Sequence, residues 1–173
     1  MKPNQQFKQR LTELLPRLYR YARVLTPTRF DADDLLQMTC ERALSRWHQL
    51  NLDGPMDRWA FTIMSSVWKN ELRSRAIRQG QGFVAPELLE SEDDESIQRN
   101  IYLRQVLERV SQLPETQRET VLLVYVEGFT YQQAADVMAI PIGTVMSRLT
   151  RARQTLSKSL KSGGNIDEQE SLA

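Results

Sequence analysis

Residues 129–156, FTYQQAADVMAIPIGTVMSRLTRARQTL, constrain this chain more than any other stretch. Ala134, Ala135 and Met138 recur at helical spacing, and the small Ala135 lets a second helix cross closely. Ile140 and Pro141 then interrupt the pattern. Proline cannot continue a helix but suits the start of a new one. Val145, Leu149, Ala152, Leu156 and Leu160 follow as one apolar stripe on that second helix. Its other side carries Thr144, Ser147, Arg148 and Arg151, with Arg153 to one side. Hydroxyls and guanidiniums along one helix face suit phosphates and base edges in a major groove.

Such a helix could equally be amphipathic with a solvated basic face. The short helix and turn before it favour a DNA-binding helix-turn-helix, as does the charge. Residues 129–161 hold Arg148, Arg151, Arg153, Lys158 and Lys161 against Asp136 alone. Ala139 stands at the turn, where glycine is common because the backbone there often needs positive φ.

The whole chain of 173 residues carries a net charge of only +1, which by itself does not suggest a polyanion partner. Its distribution does. Residues 1–79 hold 14 Lys+Arg against 8 Asp+Glu, and residues 80–100 hold 1 against 6. Two basic blocks flanking an acidic connector suit two contacts with one polyanion. Hydrophobic residues at 40% and charged residues at 26% indicate a soluble globular chain. No apolar run reaches membrane-spanning length, the first ten residues lack a signal-peptide core, and the cytoplasm is the expected compartment. The single Cys40 rules out an intrachain disulfide and a cysteine-rich zinc site. It lies among apolar neighbours and reads as a small core residue. The lone His48 has no partner for a metal. With no Ser-His-Asp set, glycine-rich phosphate loop or metal cluster, neither an enzyme nor a cofactor is expected.

In order along the chain, Phe7, Leu11, Leu14, Leu15, Leu18, Ala22 and Leu25 predict a first helix over about 5–25, ended by Thr26-Pro27-Thr28. Asp31 suits an N-cap for a second helix to about Trp47, with a stripe of Leu36, Cys40, Ala43, Leu44 and Trp47. After a loop at 51–55, a third helix over about 56–78 offers Trp59, Ile63, Val67, Trp68 and Leu72 for packing. Its C-terminal half carries Lys69, Arg73, Arg75 and Arg78. Any helix C-terminus attracts cations, but aromatics among basic positions also suit single-stranded nucleic acid. Residues 80–100 read as a flexible acidic linker, and 162–173 as a disordered tail. Between them, Leu103, Val106, Leu107, Val110 and Leu113 mark one helix, and Val121, Leu122, Leu123, Val124 and Val126 another, forming the base of the helix-turn-helix.

Several runs resemble the extracytoplasmic-function (ECF) sigma factors of bacterial RNA polymerase. In the C-terminal part these are Leu113-Pro114, Gln117-Arg118, Gly128-Phe129-Thr130-Tyr131, Ala134-Ala135 and Gly143-Thr144-Val145-Met146-Ser147-Arg148-Leu149, ending in Arg151-Ala152-Arg153. In the N-terminal part, Asp31-Ala32-Asp33-Asp34-Leu35-Leu36-Gln37 is similar to the family's polymerase-docking run, and Trp59, Ile63 and Leu72-Arg73 match its third helix. Ser66, Asn70 and Ala60 depart from the usual Asn, Asp and Leu. The resemblance covers about residues 7–160.

It implies an all-α chain of two small helical domains joined by the acidic linker. Residues 1–79 would dock on core RNA polymerase and engage the melted minus-ten element of promoter DNA. Residues 101–161 would read the minus-thirty-five element. The polymerase set is then Asp34, Leu35, Gln37, Glu41 and Arg42. The minus-ten set is Ser66, Lys69, Asn70, Arg73 and Arg75. The minus-thirty-five set is Thr144, Ser147, Arg148, Arg151 and Arg153. The linker would thread the polymerase near its active-site and RNA-exit channels, and an anti-sigma factor would hold the protein in check. The implied function is promoter recognition and transcription initiation for a stress or envelope-response regulon. A stand-alone helix-turn-helix regulator would not need the DADDLLQ run. A sigma-like decoy for anti-sigma factors would not need the Arg148 and Arg151 face.

Overall fold

A computed structural model describes residues 2–51, 54–79 and 101–163. The linker at 80–100 and most of the tail, including their expected flexibility, lie outside the described residues. Every regular element among those described is helical. Helix α1 spans Pro3–Leu25, α2 Arg29–Arg46 and α3 Met56–Gln79. Helix α4 spans Ile101–Ser111 and α5 Glu115–Val121, which widens into a π-helical turn at Leu122–Val126. Helix α6 (Tyr131–Met138) and α7 (Ile142–Gly163) form the helix-turn-helix. No helix among the described residues is long and apolar enough to cross a membrane.

The α1 stripe buries Phe7, Leu11, Leu18, Ala22 and Leu25 as expected, and adds Tyr21. Leu14 and Leu15 are only half-buried. The α2 face is rotated from the expected one. Ala32, Leu35, Thr39 and Ala43 are buried, Leu36 and Cys40 are half-buried, and Leu44 is exposed. Thr39 can enter the core because its hydroxyl donates to the Leu35 carbonyl at 2.7 Å. The cap also shifts. Thr28, not Asp31, is the N-cap: its Oγ1 accepts from the Asp31 backbone N–H at 3.1 Å and donates to the Asp31 carboxylate at 2.7 Å. Asp31 is thereby freed to bind Arg75 on α3 at 2.6 Å. In α3, Ile63, Val67 and Trp68 are buried, Trp59 is half-buried, and Leu72 is exposed.

The two halves do not stand apart. Helix α3 packs on α6 and α1 on α5, so one apolar core runs through both. The Phe61 ring meets Tyr21 at 5.0 Å and, across the boundary, Phe129 at 5.4 Å edge-on. The π-helical turn matters here. Its wide loop, closed by Glu127 N–H to the Leu122 carbonyl at 2.9 Å, leaves Tyr125 and Val126 in solvent and turns Glu127 inward. Val126, an expected core residue, is therefore exposed.

Helix α6 starts on a capping box. The Thr130 side chain accepts from the Gln133 N–H at 3.2 Å, and the Gln133 side chain accepts from the Thr130 N–H at 3.0 Å. It ends at Ala139, in the left-handed region at φ 52°, ψ 49°. That conformation costs a residue with a Cβ about 1–2 kcal/mol. Ala139→Gly removes the clash but frees the unfolded chain, so a net gain of about 0.5–1 kcal/mol is expected. A thermal midpoint no higher than wild type would show that the turn is relaxed as it stands.

Candidate nucleic-acid interface

The residues expected to meet DNA divide into free and engaged groups. On α3, Ser66, Asn70 and Arg73 are exposed. Lys69 is not free: its Nζ donates to the Met138 carbonyl at the end of α6. Burial there lowers the Lys69 pKa. Arg75 is engaged as well. It pairs with Asp31 at 2.6 Å and Glu71 at 2.9 Å, and its guanidinium lies 5.4 Å over the Trp68 ring. Burial would raise the Asp31 pKa, but hydrogen bonds from Arg75 and Thr28 outweigh it and hold the carboxyl below its ordinary range. Arg75 thus staples α3 to the start of α2 and is not a ready DNA contact.

On α7 the core side is Val145, Leu149 and Ala152. Ser147 and Arg151 point to solvent, and Thr144 is half-buried. Arg148 is half-buried and turned toward the Met138 sulfur, 3.7 Å away. Arg153 is exposed but held. Its guanidinium donates to the hydroxyls of Tyr125 and, at 3.2 Å, Tyr131, and it lies 5.9 Å from the Tyr125 ring centre.

The boundary between the halves brings these two faces together. The N-terminal half supplies donors, and the C-terminal half supplies acceptors. Arg17 and Arg20 reach Glu127 at 2.7 and 3.1 Å. Tyr21 donates to Glu119 at 2.6 Å, and Ser65 to the same oxygen at 3.3 Å. Trp68 Nε1 donates to Glu115 at 3.0 Å. The Lys69 bond to Met138 completes the row. Burial raises the Glu119 pKa, despite the hydrogen bond from Tyr21 and the positive charge of Lys69. Burial next to Glu119 also keeps the Tyr21 hydroxyl protonated, its pKa raised well above the ordinary phenol value. No sequence periodicity marks these groups as partners. Residues 101–127 carry nearly balanced charge, and only the fold shows that Glu115, Glu119 and Glu127 all accept from donors of the other half: an indole N–H, two hydroxyls and two guanidiniums respectively.

The expected docking set on α2 is largely open. Asp34, Gln37 and Glu41 are exposed, with Gln37 bonded to Glu41 at 3.0 Å, and Arg42 is half-buried. Leu35 is the exception. It is 3% exposed, packed in the core, and cannot contact a partner from there.

Comparison with known proteins matches both halves of this architecture. The Sigma-70 region 2 family matches residues 11–77, and the Sigma-70, region 4 family matches residues 103–156. The chain is 30% identical to the ECF RNA polymerase sigma factor EcfG of Rhodopseudomonas palustris, over 88% of this chain and 84% of that protein. It is 32% identical to the RNA polymerase sigma-H factor of Pseudomonas aeruginosa, over 76% and 74%. Among solved structures it is similar to the sigma factor RpoE of Bartonella quintana, in complex with the anti-sigma factor NepR. That likeness has a TM-score of 0.68 at 28% identity and covers 90% of this chain and 96% of that one. The match over both regions, with the basic third helix and the helix-turn-helix in that order, places this chain in the extracytoplasmic-function sigma factors of the sigma-70 family.

Proposed function

We propose that the packed arrangement is the resting form of a promoter-specificity subunit, and that engaging core RNA polymerase separates its two halves. The observation that carries this is the Lys69–Met138 bond. One end of it lies on the helix assigned to the minus-ten element, and the other on the helix-turn-helix. In the resting form Ser66, Asn70 and Arg73 already face solvent on α3, and Ser147 and Arg151 on α7. Separation adds Lys69, whose partner Met138 lies in the other half. Asp34, Gln37, Glu41 and Arg42 form the polymerase-docking surface. The likeness to a sigma factor solved with its anti-sigma factor supports a similar protein partner here, one that would favour the closed form. A stress or envelope-response regulon and a cytoplasmic location fit the same reading. The protein's role is transcription initiation and not catalysis.

Run-off transcription with core polymerase on a promoter library tests the function directly. In the same assay, reversing Asp34 and Glu41 to lysine should abolish most polymerase binding. Both side chains are exposed, so thermal stability should change by only about 0.5 kcal/mol. Unaltered polymerase affinity would favour a stand-alone regulator. Arg151→Ala should cost about 1–3 kcal/mol of discrimination at one base pair if the contact is bidentate to guanine. A phosphate contact would instead weaken all sequences alike and reduce the salt dependence. Wild-type transcription and salt response from both Arg148→Ala and Arg151→Ala would remove α7 as the reading helix.

A further inference from the structure

We propose that Ile142 and Met146 determine promoter specificity by packing against thymine methyl groups in the major groove. This rests on α7 being the DNA-reading helix, as above. Ile142 is 42% exposed and Met146 52% exposed. They are four residues apart in the first turns of α7, and so share a face. Packing does not require them outside, because the core side of this helix is already filled by Val145, Leu149 and Ala152.

Their surroundings point to DNA. The N-terminal residues of a recognition helix are the ones that reach base edges. Gly143, between them, is exposed and has open space where a side chain would stand, so the backbone can approach a partner closely. Ser147, Thr150 and Arg151 border the pair and are exposed. The first turn of the helix holds no acidic residue to repel phosphates.

The polar groups nearby are partly committed elsewhere. The Ser147 hydroxyl donates to the Thr144 carbonyl at 3.0 Å, and the Thr150 hydroxyl to the Met146 carbonyl at 3.0 Å. Arg148 is turned to Met138, and Arg153 lies against two tyrosines. The outermost surface at the tip of the helix is therefore apolar, with Arg151 as its nearby exposed cation. In the major groove the apolar feature available to such a surface is the thymine C5-methyl group. The long, unbranched Met146 can adjust its rotamer to reach one.

The test uses polymerase holoenzyme containing the full chain, on a promoter selected from a library. Each thymidine of the upstream element, on either strand, is replaced singly by deoxyuridine, which removes only the methyl group. With the wild-type chain, one or two replacements should weaken binding by about fourfold each. With Met146→Ala or Ile142→Ala the same duplexes should bind alike with thymidine or deoxyuridine. Both residues are exposed, so thermal unfolding of the variants should match wild type and exclude a folding defect. Deoxyuridine duplexes that all bind like their parents, discrimination that survives in both alanine variants, or an upstream element without thymine would overturn the proposal. Each of these leaves α7 intact as a DNA-binding helix if the wild-type holoenzyme still protects the upstream element in a footprint. Loss of that footprint would overturn both readings together.

Discussion

Truncating Phe61 to alanine is expected to destabilise the chain by about 3–5 kcal/mol, the usual cost of removing a large buried aromatic. The side chain is fully buried. Its ring stacks at a tilt on Tyr21, meets Phe129 edge-on, and lies 5.5 Å from the Arg17 guanidinium. Those neighbours come from α1 and from the segment between the π-helical turn and α6, so they cannot all move in to fill one void. The loss includes the aromatic contact joining the two halves. Urea unfolding should show the lowered midpoint, and hydrogen exchange should show faster opening around Phe129. A loss below about 1.5 kcal/mol would mean that the site collapses easily and that Phe61 does not anchor the boundary.

Tyr21→Phe is expected to open the molecule without unfolding either half. The ring stays packed, but buried Glu119 loses its shortest donor. Its Oε1 keeps only the longer bond from Ser65 at 3.3 Å, and losing a hydrogen bond to a buried carboxyl costs about 1–3 kcal/mol. A cost near 2 kcal/mol would raise the ratio of open to closed forms about 30-fold. Small-angle scattering should then report a larger radius at unchanged helicity. The same carboxyl makes closure depend on pH. Burial raises the Glu119 pKa in the closed form, so that form binds more protons than the open one over the window between the ordinary carboxylate pKa and the raised one. The contribution favours closure at the acid end of this window and fades as pH rises through the raised value. Opening should therefore increase with pH, and Glu119→Gln should flatten the dependence. An identical radius for Tyr21→Phe and wild type across that window would show that Glu119 does not hold the halves together.

Much of the helical layout is legible in the residues alone. The stripe from Val145 to Ala152 follows a strict helical period because one side of α7 packs on α5 and α6, and period is what a linear reading detects. Pro141 and the Ala139 turn are equally local, since each restricts its own backbone. The α2 face is not legible in this way. Its apolar residues are spread around the helix, and which of them go inside is decided by α1 and α3. Leu44, expected in the core stripe, is exposed, and Leu35, which the family resemblance places in the docking set, is buried.

The site divides along the same line. Ser66, Asn70, Arg73, Ser147 and Arg151 lie where helical phase puts them. Lys69, Arg75, Arg148 and Arg153 have the same residue types and spacing, yet each is engaged by a group distant in sequence or on another element. By itself the sequence determined the helices and the polar face of α7, because local dihedral preferences and apolar period depend on neighbours along the chain; the order of the two sigma regions followed from the family resemblance its motifs carry. Only the tertiary structure decided which cations are free. It alone paired Glu115, Glu119 and Glu127 with the opposite half, because a buried ion pair or hydrogen bond depends on distance in space, and these partners are separated by 47 to 110 positions.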